Sequence, residues 1–164
     1  SDTGTILVAL NAKGVIAGSE GETTVPIQDF FTGPNSYRDT VLAPDQFLKE
    51  IQLHYPKTGT RQIFLKQRVR HSTDFALASV AAAVVIKDGI CSDINLVMGG
   101  VSIRPLVVKK AVDILQDKQL DNNIIDQAAE AAVEGARPLK RNHYKTELTK
   151  ALVKRALTII SQEV

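Results

Sequence analysis

The tripeptide Lys87-Asp-Gly lies between the apolar runs Ala78-Ser-Val-Ala-Ala-Ala-Val-Val-Ile and Asp93-Ile-Asn-Leu-Val-Met, and no other segment constrains the fold as much. Asp-Gly supplies the positive φ angles that a tight hairpin turn demands, so both runs are expected to be strands. Strands joined so briefly run antiparallel, because a parallel pair needs a long crossover. Gln62-Ile-Phe-Leu carries a third strand signal upstream. A hydrophobic content of 44% over 164 residues is enough to give such a sheet a core, within one ordinary domain or two small ones.

Three helices are predicted after the strands. Pro105 is placed in the first turn of the first helix, where its missing N–H is tolerated, and Val107, Val108, Ala111, Val112 and Leu115 recur at helical spacing. Asp121 or Asn122 caps the second helix, whose Ile124, Ile125, Ala128, Ala132 and Val133 form one stripe before Gly135 and Pro138 stop it. The third runs roughly from residue 142 to 162 and buries Leu148, Leu152, Val153, Ala156 and Ile160. Strands first and helices afterwards predict an α+β fold, a small antiparallel sheet with three helices packed on one of its faces.

The front of the chain is less explicit. Thr5-Ile-Leu-Val-Ala-Leu-Asn-Ala is so short and uniformly apolar that periodicity leaves helix or strand open. The Ser19-Glu-Gly-Glu turn and Thr23-Thr-Val-Pro-Ile-Gln suggest a small hairpin, with Pro26 on an edge. Gly33-Pro34 marks a loop, and Pro56-Lys-Thr-Gly is a boundary that divides the chain into 1–56 and 57–164.

Composition removes several functional classes. The net charge of +2, from 20 basic and 18 acidic residues, is too balanced for a nucleic-acid surface, and the sparse aromatics form no stacking platform. Cys91 stands alone, which excludes an internal disulfide and a Cys-rich metal site; on a strand it is expected to be a small buried hydrophobe. No apolar run nears the ~20 residues of a membrane span, and Ser1-Asp-Thr-Gly is not the start of a leader peptide. The expectation is a soluble protein of a reducing, cytoplasmic compartment. His54, His71 and His143 fall on three different elements with no metal-binding spacing, and there is no G-x-S-x-G elbow. No catalytic residue and no metal ligand is assigned. Tyr144 is expected to anchor the core, and Lys109-Lys110 to be a solvated helix face.

Two segments remain. Phe64-Leu-Lys-Gln-Arg-Val-Arg-His-Ser-Thr-Asp74-Phe-Ala places Lys66, Arg68, Arg70, His71 and Asp74 among Gln67, Val69, Ser72 and Thr73, between two apolar runs. That is more charge than a turn requires, and it fits either a basic surface loop or the lining of an anionic ligand site. Met98-Gly-Gly-Val lacks the phosphate-binding fingerprints, so Gly99-Gly100 is expected to be a bulge or tight bend.

The order of these segments resembles the FAD-binding middle subunit of the molybdenum hydroxylases, the family of xanthine, carbon monoxide and nicotinate dehydrogenases. The pieces that carry the resemblance are Ser1-Asp2 leading into Leu7-Val-Ala-Leu-Asn-Ala, Asp29-Phe-Phe-Thr-Gly, Leu42-Ala-Pro-Asp-Gln-Phe-Leu, Phe64-Leu-Lys-Gln-Arg-Val-Arg with Asp74, Met98-Gly-Gly-Val with Arg104-Pro, and Tyr144-Lys. Together they span essentially the whole chain at consistent spacing. The ending Tyr144-Lys departs from the more arginine-rich form common in relatives.

The resemblance implies that residues 1–56 are the tail of a PCMH-type FAD-binding domain and that 57–164 are the flavoprotein C-terminal domain. It implies flavin contacts at Asp2, Leu48 and Lys66, with Arg70 and Asp74 shaping the charge beside the ring. It also implies partner subunits that carry molybdopterin and [2Fe–2S] clusters, and NAD or another electron acceptor. The two Gly-rich loops that hold the FAD diphosphate in relatives lie upstream of the segment matched here. This polypeptide alone is therefore expected not to retain FAD and to be inactive as an isolated fragment. The competing expectation is a docking or assembly module without a cofactor.

Overall fold

The computed structural model describes residues 1–71 and 73–162. The apolar front segment folds as α1 (Asp2–Ala9). The Ser1 hydroxyl caps it, accepting from the Gly4 N–H at 3.1 Å, and Asp2 places a carboxylate in the positive first turn. Asn11, at φ 51°, turns the chain out of the helix. Strands β1 (Lys13–Gly18) and β2 (Gly21–Pro26) form the expected hairpin, and after the short α2 (Ile27–Phe30) β3 (Phe47–Gln52) completes a three-stranded sheet of order β2-β1-β3. Pro26 is on an edge strand, as anticipated.

The second sheet contains β4 (Thr60–Gln67), β5 (Ala78–Lys87), β6 (Ile90–Gly99) and β7 (Leu106–Val107), all antiparallel and in that order. Asp88 and Gly89 take φ angles of 52° and 79°, so the β5–β6 hairpin turns where the sequence places it. Helices α3 (Lys109–Leu115), α4 (Asn122–Val133) and α5 (Tyr144–Gln162) cover one face. Val80, Ala82, Val84, Leu96 and Met98 pack there against Leu115, Ile125, Val153 and Leu157. Asp121 caps α4, accepting from the Ile124 N–H at 2.8 Å.

Several details differ from expectation. Pro105 does not begin a helix; it precedes β7, which pairs with Val97 and Met98, and the Val108 N–H still donates to the Leu96 carbonyl at 2.9 Å. Edge pairing takes this stretch first, so α3 starts only at Lys109 and Val107 is exposed. Tyr144 is half exposed in the first turn of α5 rather than a core anchor. Leu157 and Ala129 are more deeply buried than Leu148 and Ile124, which only border the core, and than Val133, which is partly exposed.

The opposite face of the second sheet is covered by α1. Val8, Ala9 and Ala12 join Ile16, Ile27 and Phe30 of the front segment with Ala81 and Val97 of the second sheet in one buried cluster. Gly99 makes this approach close. A Cβ on it would meet the hydroxyl oxygens of Thr5 and Ser79 at 2.5 Å or less. Gly100, at φ 74°, then bends the chain away, so the Gly99-Gly100 pair is a bend combined with a packing contact.

Two outcomes follow from this packing. Gly99→Ala forces α1 off the sheet and should cost ~1–3 kcal/mol in urea unfolding; adding Thr5→Ala and Ser79→Ala, which removes both oxygens, should recover part of it. Cys91 is fully buried on β6, and burial raises its thiol pKa to about 11. At pH 8 only ~1 molecule in 1,000 then carries the thiolate, against roughly a quarter for an ordinary cysteine. Alkylation by iodoacetamide should be correspondingly slow in the folded protein and fast in urea.

Candidate functional site

The close packing of α1 brings Asp2 to the end of β4. Lys66 is the penultimate residue of β4, in register with Ser79 of β5. By the alternation of a strand it shares its face with Phe64, which packs in the α1 cluster. Its ammonium meets the Asp2 carboxylate at 2.6 Å and donates to the Asp74 backbone carbonyl at 2.5 Å. The Lys66 side chain is only 18% exposed, so this pair is screened less than a surface ion pair worth ~0.2–1 kcal/mol. An ammonium has three donors. Two are committed here, and among the described residues the third has no partner.

The Gln67–Leu77 loop supplies the second half of this clamp. The Leu77 N–H donates to the Gln67 carbonyl at 2.8 Å and closes the loop at its base. Asp74 organises the interior: its carboxylate accepts from Arg70 Nε at 3.1 Å and from the Phe75 N–H at 2.9 Å. Asp74 is 14% exposed, whereas its Arg70 partner is 72% exposed. The hydrogen bond from Arg70 is the largest cause holding the Asp74 carboxyl below the usual carboxylate range, with the Phe75 N–H and the Lys66 charge adding to it against the opposing effect of burial.

Four of the five sequence-predicted residues therefore form one group: Asp2, Lys66, Arg70 and Asp74. Arg70 and Asp74 bind each other, so they act as one internally compensated pair. Leu48 stands on β3 of the other sheet, opposite Ile16, where it packs near Gly14 and Ile27. It belongs to the apolar cluster beneath α1 and has no polar role. Ser72 lies outside the described residues. His71 is exposed, and no group of three or more metal-ligating side chains occurs among the described residues. Also among the described residues, no helix is long and apolar enough to cross a membrane. The Asp74 carbonyl as a Lys66 partner escaped the sequence, because a backbone acceptor leaves no residue-type signal. The close seat of α1 on Gly99 escaped it as well, because the Gly99-Gly100 doublet reads locally as a bend and does not name the helix that packs there.

As a donor set, the group offers a cation at a sheet end, flanked by a carboxylate and by apolar side chains of α1 and β4. That suits the polar edge of a planar heteroaromatic ring: the spare Lys66 N–H meets an acceptor, and Asp2 meets a donor.

Residues 63–160 match the family of the CO dehydrogenase flavoprotein C-terminal domain, and residues 1–56 match the FAD binding domain in molybdopterin dehydrogenase. The glyceraldehyde dehydrogenase medium chain of Sulfolobus acidocaldarius is 28% identical over 160 residues, covering 95% of this chain and 55% of that one. The carbon monoxide dehydrogenase medium chain of Hydrogenophaga pseudoflava is 29% identical over 161 residues, covering 96% and 55%. Among solved structures, carbon monoxide dehydrogenase from Hydrogenophaga pseudoflava superposes with a TM-score of 0.86 at 28% identity, over 94% of this chain and 54% of that chain. Quinoline 2-oxidoreductase from Pseudomonas putida 86 gives 0.87 at 26% identity, over 99% and 56%. The chain spans about half the length of the medium-chain relatives it matches.

The depressed Asp74 pKa fixes a sign for acid stability. A carboxyl whose folded pKa is lowered contributes stability that is complete above the unfolded value of about 3.9 and is lost as pH falls through the lower folded value. Asp74→Asn should destabilise the protein at pH 6, and its deficit against wild type should shrink as the pH falls below about 4. Urea midpoints measured from pH 6 to pH 2 check this; parallel curves would show that Asp74 contributes nothing through its charge.

Proposed function

The chain belongs to the CO dehydrogenase flavoprotein C-terminal domain family, and from that premise we propose that it is part of the FAD-binding middle subunit of a molybdenum hydroxylase. Residues 1–56 are the end of the FAD-binding domain, and 57–164 form the C-terminal domain. When bound, FAD supplies the step between one-electron iron–sulfur clusters and a two-electron acceptor. Substrate is hydroxylated at a molybdopterin centre on a large subunit, and electrons pass through [2Fe–2S] clusters on a small subunit to this one and on to NAD or another acceptor, in the cytoplasm. The agreement of both family matches, in chain order, with the relatives' medium chains supports this assignment.

The observation that carries the site is Lys66, a half-buried cation held on two sides with one N–H to spare. Lys66 would hold the polar edge of a bound flavin ring, where its charge would favour the reduced form. Asp2 orients the ammonium and offsets part of its charge. Arg70 and Asp74 hold the 68–77 loop in shape beside the ring, and Leu48 packs behind α1 to fix the position of Asp2.

In the intact subunit loaded with FAD, Lys66→Ala should lower the flavin midpoint; a lost interaction of ~1.4 kcal/mol corresponds to about 30 mV for a two-electron couple. Asp2→Asn should move it the opposite way, and Lys66→Arg should keep most of the charge effect. Redox titration with full flavin occupancy decides the matter. Unchanged midpoints in both charge variants would remove the group from the cofactor site.

A further inference from the structure

A second cavity lies elsewhere, on the helical face of the second sheet. It encloses about 520 Å³ between the 100–106 loop, the end of α4 and the start of α5, and none of Asp2, Leu48, Lys66, Arg70 or Asp74 lines it. That volume falls in the range of small-molecule sites. Its deeply buried lining is Met98 and Ala132 with the polar Thr149 beside them, and Val101, Val133 and Leu106 add apolar surface. Polar groups gather on the α5 side. Lys145 donates to the Gly100 carbonyl at 3.1 Å and meets no carboxylate among the described residues. The Asn142 Oδ1 atom is withdrawn from solvent without a hydrogen-bond donor.

The charge around this cleft is predominantly basic, with Glu134 the one acid in its lining. Arg137 joins Lys145 in the lining, and the same loops carry Arg104, Lys140 and Arg141. The only acid in these loops, Glu134, is engaged by Lys110 at 2.9 Å. An ammonium that meets no carboxylate among the described residues, at the rim of an apolar floor, attracts an anion with an apolar tail.

We propose that this cleft binds a monocarboxylate with an apolar body, of about eight carbons for a cavity of this size. The carboxylate pairs with Lys145, and the chain lies over Met98 between Val133 and Leu106. The site is independent of the Asp2–Lys66 group, which occupies the opposite face of the sheet.

The chain holds a single methionine, and it is Met98. A ¹³C-methyl methionine label therefore reports on the cleft floor, and octanoate and octanol serve as charged and neutral probes of equal body. Octanoate should shift the Met98 methyl signal saturably, and octanol at least ~10-fold more weakly. Lys145→Gln, which removes the charge without adding a second methionine, should weaken octanoate ~10-fold and leave octanol unchanged. Val133→Trp, which fills the cleft from the opposite wall, should abolish the shift with both, and Lys66→Ala should alter neither. Thermal melts verify that each variant is folded. The proposal is overturned by the absence of a saturable octanoate shift, by equal binding of octanol, or by octanoate binding that survives Lys145→Gln.

Discussion

Everything in this fold depends on burying the β5–β6 hairpin from both sides. A strand covered on one face alternates apolar and polar residues, but Ala78–Ile86 is apolar almost throughout because each face meets a different layer. Helices α3–α5 take one face and α1 takes the other. The second contact is possible only because Gly99 has no side chain where Thr5 and Ser79 converge. That seat sets the position of the first residue of α1, and so Asp2, 64 positions before Lys66 in sequence, arrives within 2.6 Å of its ammonium.

The division between what the chain announces and what it conceals follows from the length of each signal. The β5–β6 hairpin, the Asp121 cap and the long stripes of α4 and α5 are local and repeated, and they are legible. Pro105 misleads because β7 has two residues, too few for any period to appear, and its pairing with Val97 and Met98 is a tertiary matter. Helix α1 is undecided in sequence because its apolar residues fall in one short run, Ile6 to Ala9, too brief to show a helical stripe. The uninterrupted run of β5 already implied a second covering layer, although nothing local said that residues 2–9 would provide it.

The site divides in the same way. Motif position selected Asp2, Lys66, Arg70 and Asp74, and the structure gathers all four. What position could not convey is how they share the work. Arg70 and Asp74 neutralise one another and stiffen a loop, while the carbonyl of Asp74, not its carboxylate, steadies Lys66. Leu48, from the same set of motif positions, stands apart from these four and packs against the apolar cluster that α1 joins.

Val8 and Ala9 share one cluster with Ala81 and Val97, which bears on how the protein can be taken apart. A cut at the Pro56 boundary separates two segments that look like modules on paper, yet it leaves the second sheet with a raw apolar face and the first with a helix that has nothing to lie on. An excised C-terminal piece would need its underside rewritten in polar residues at Phe64, Ala81 and Val97 before it could stand as an independent scaffold. The linker marks where the chain is thin, and the seam of the folded unit runs elsewhere.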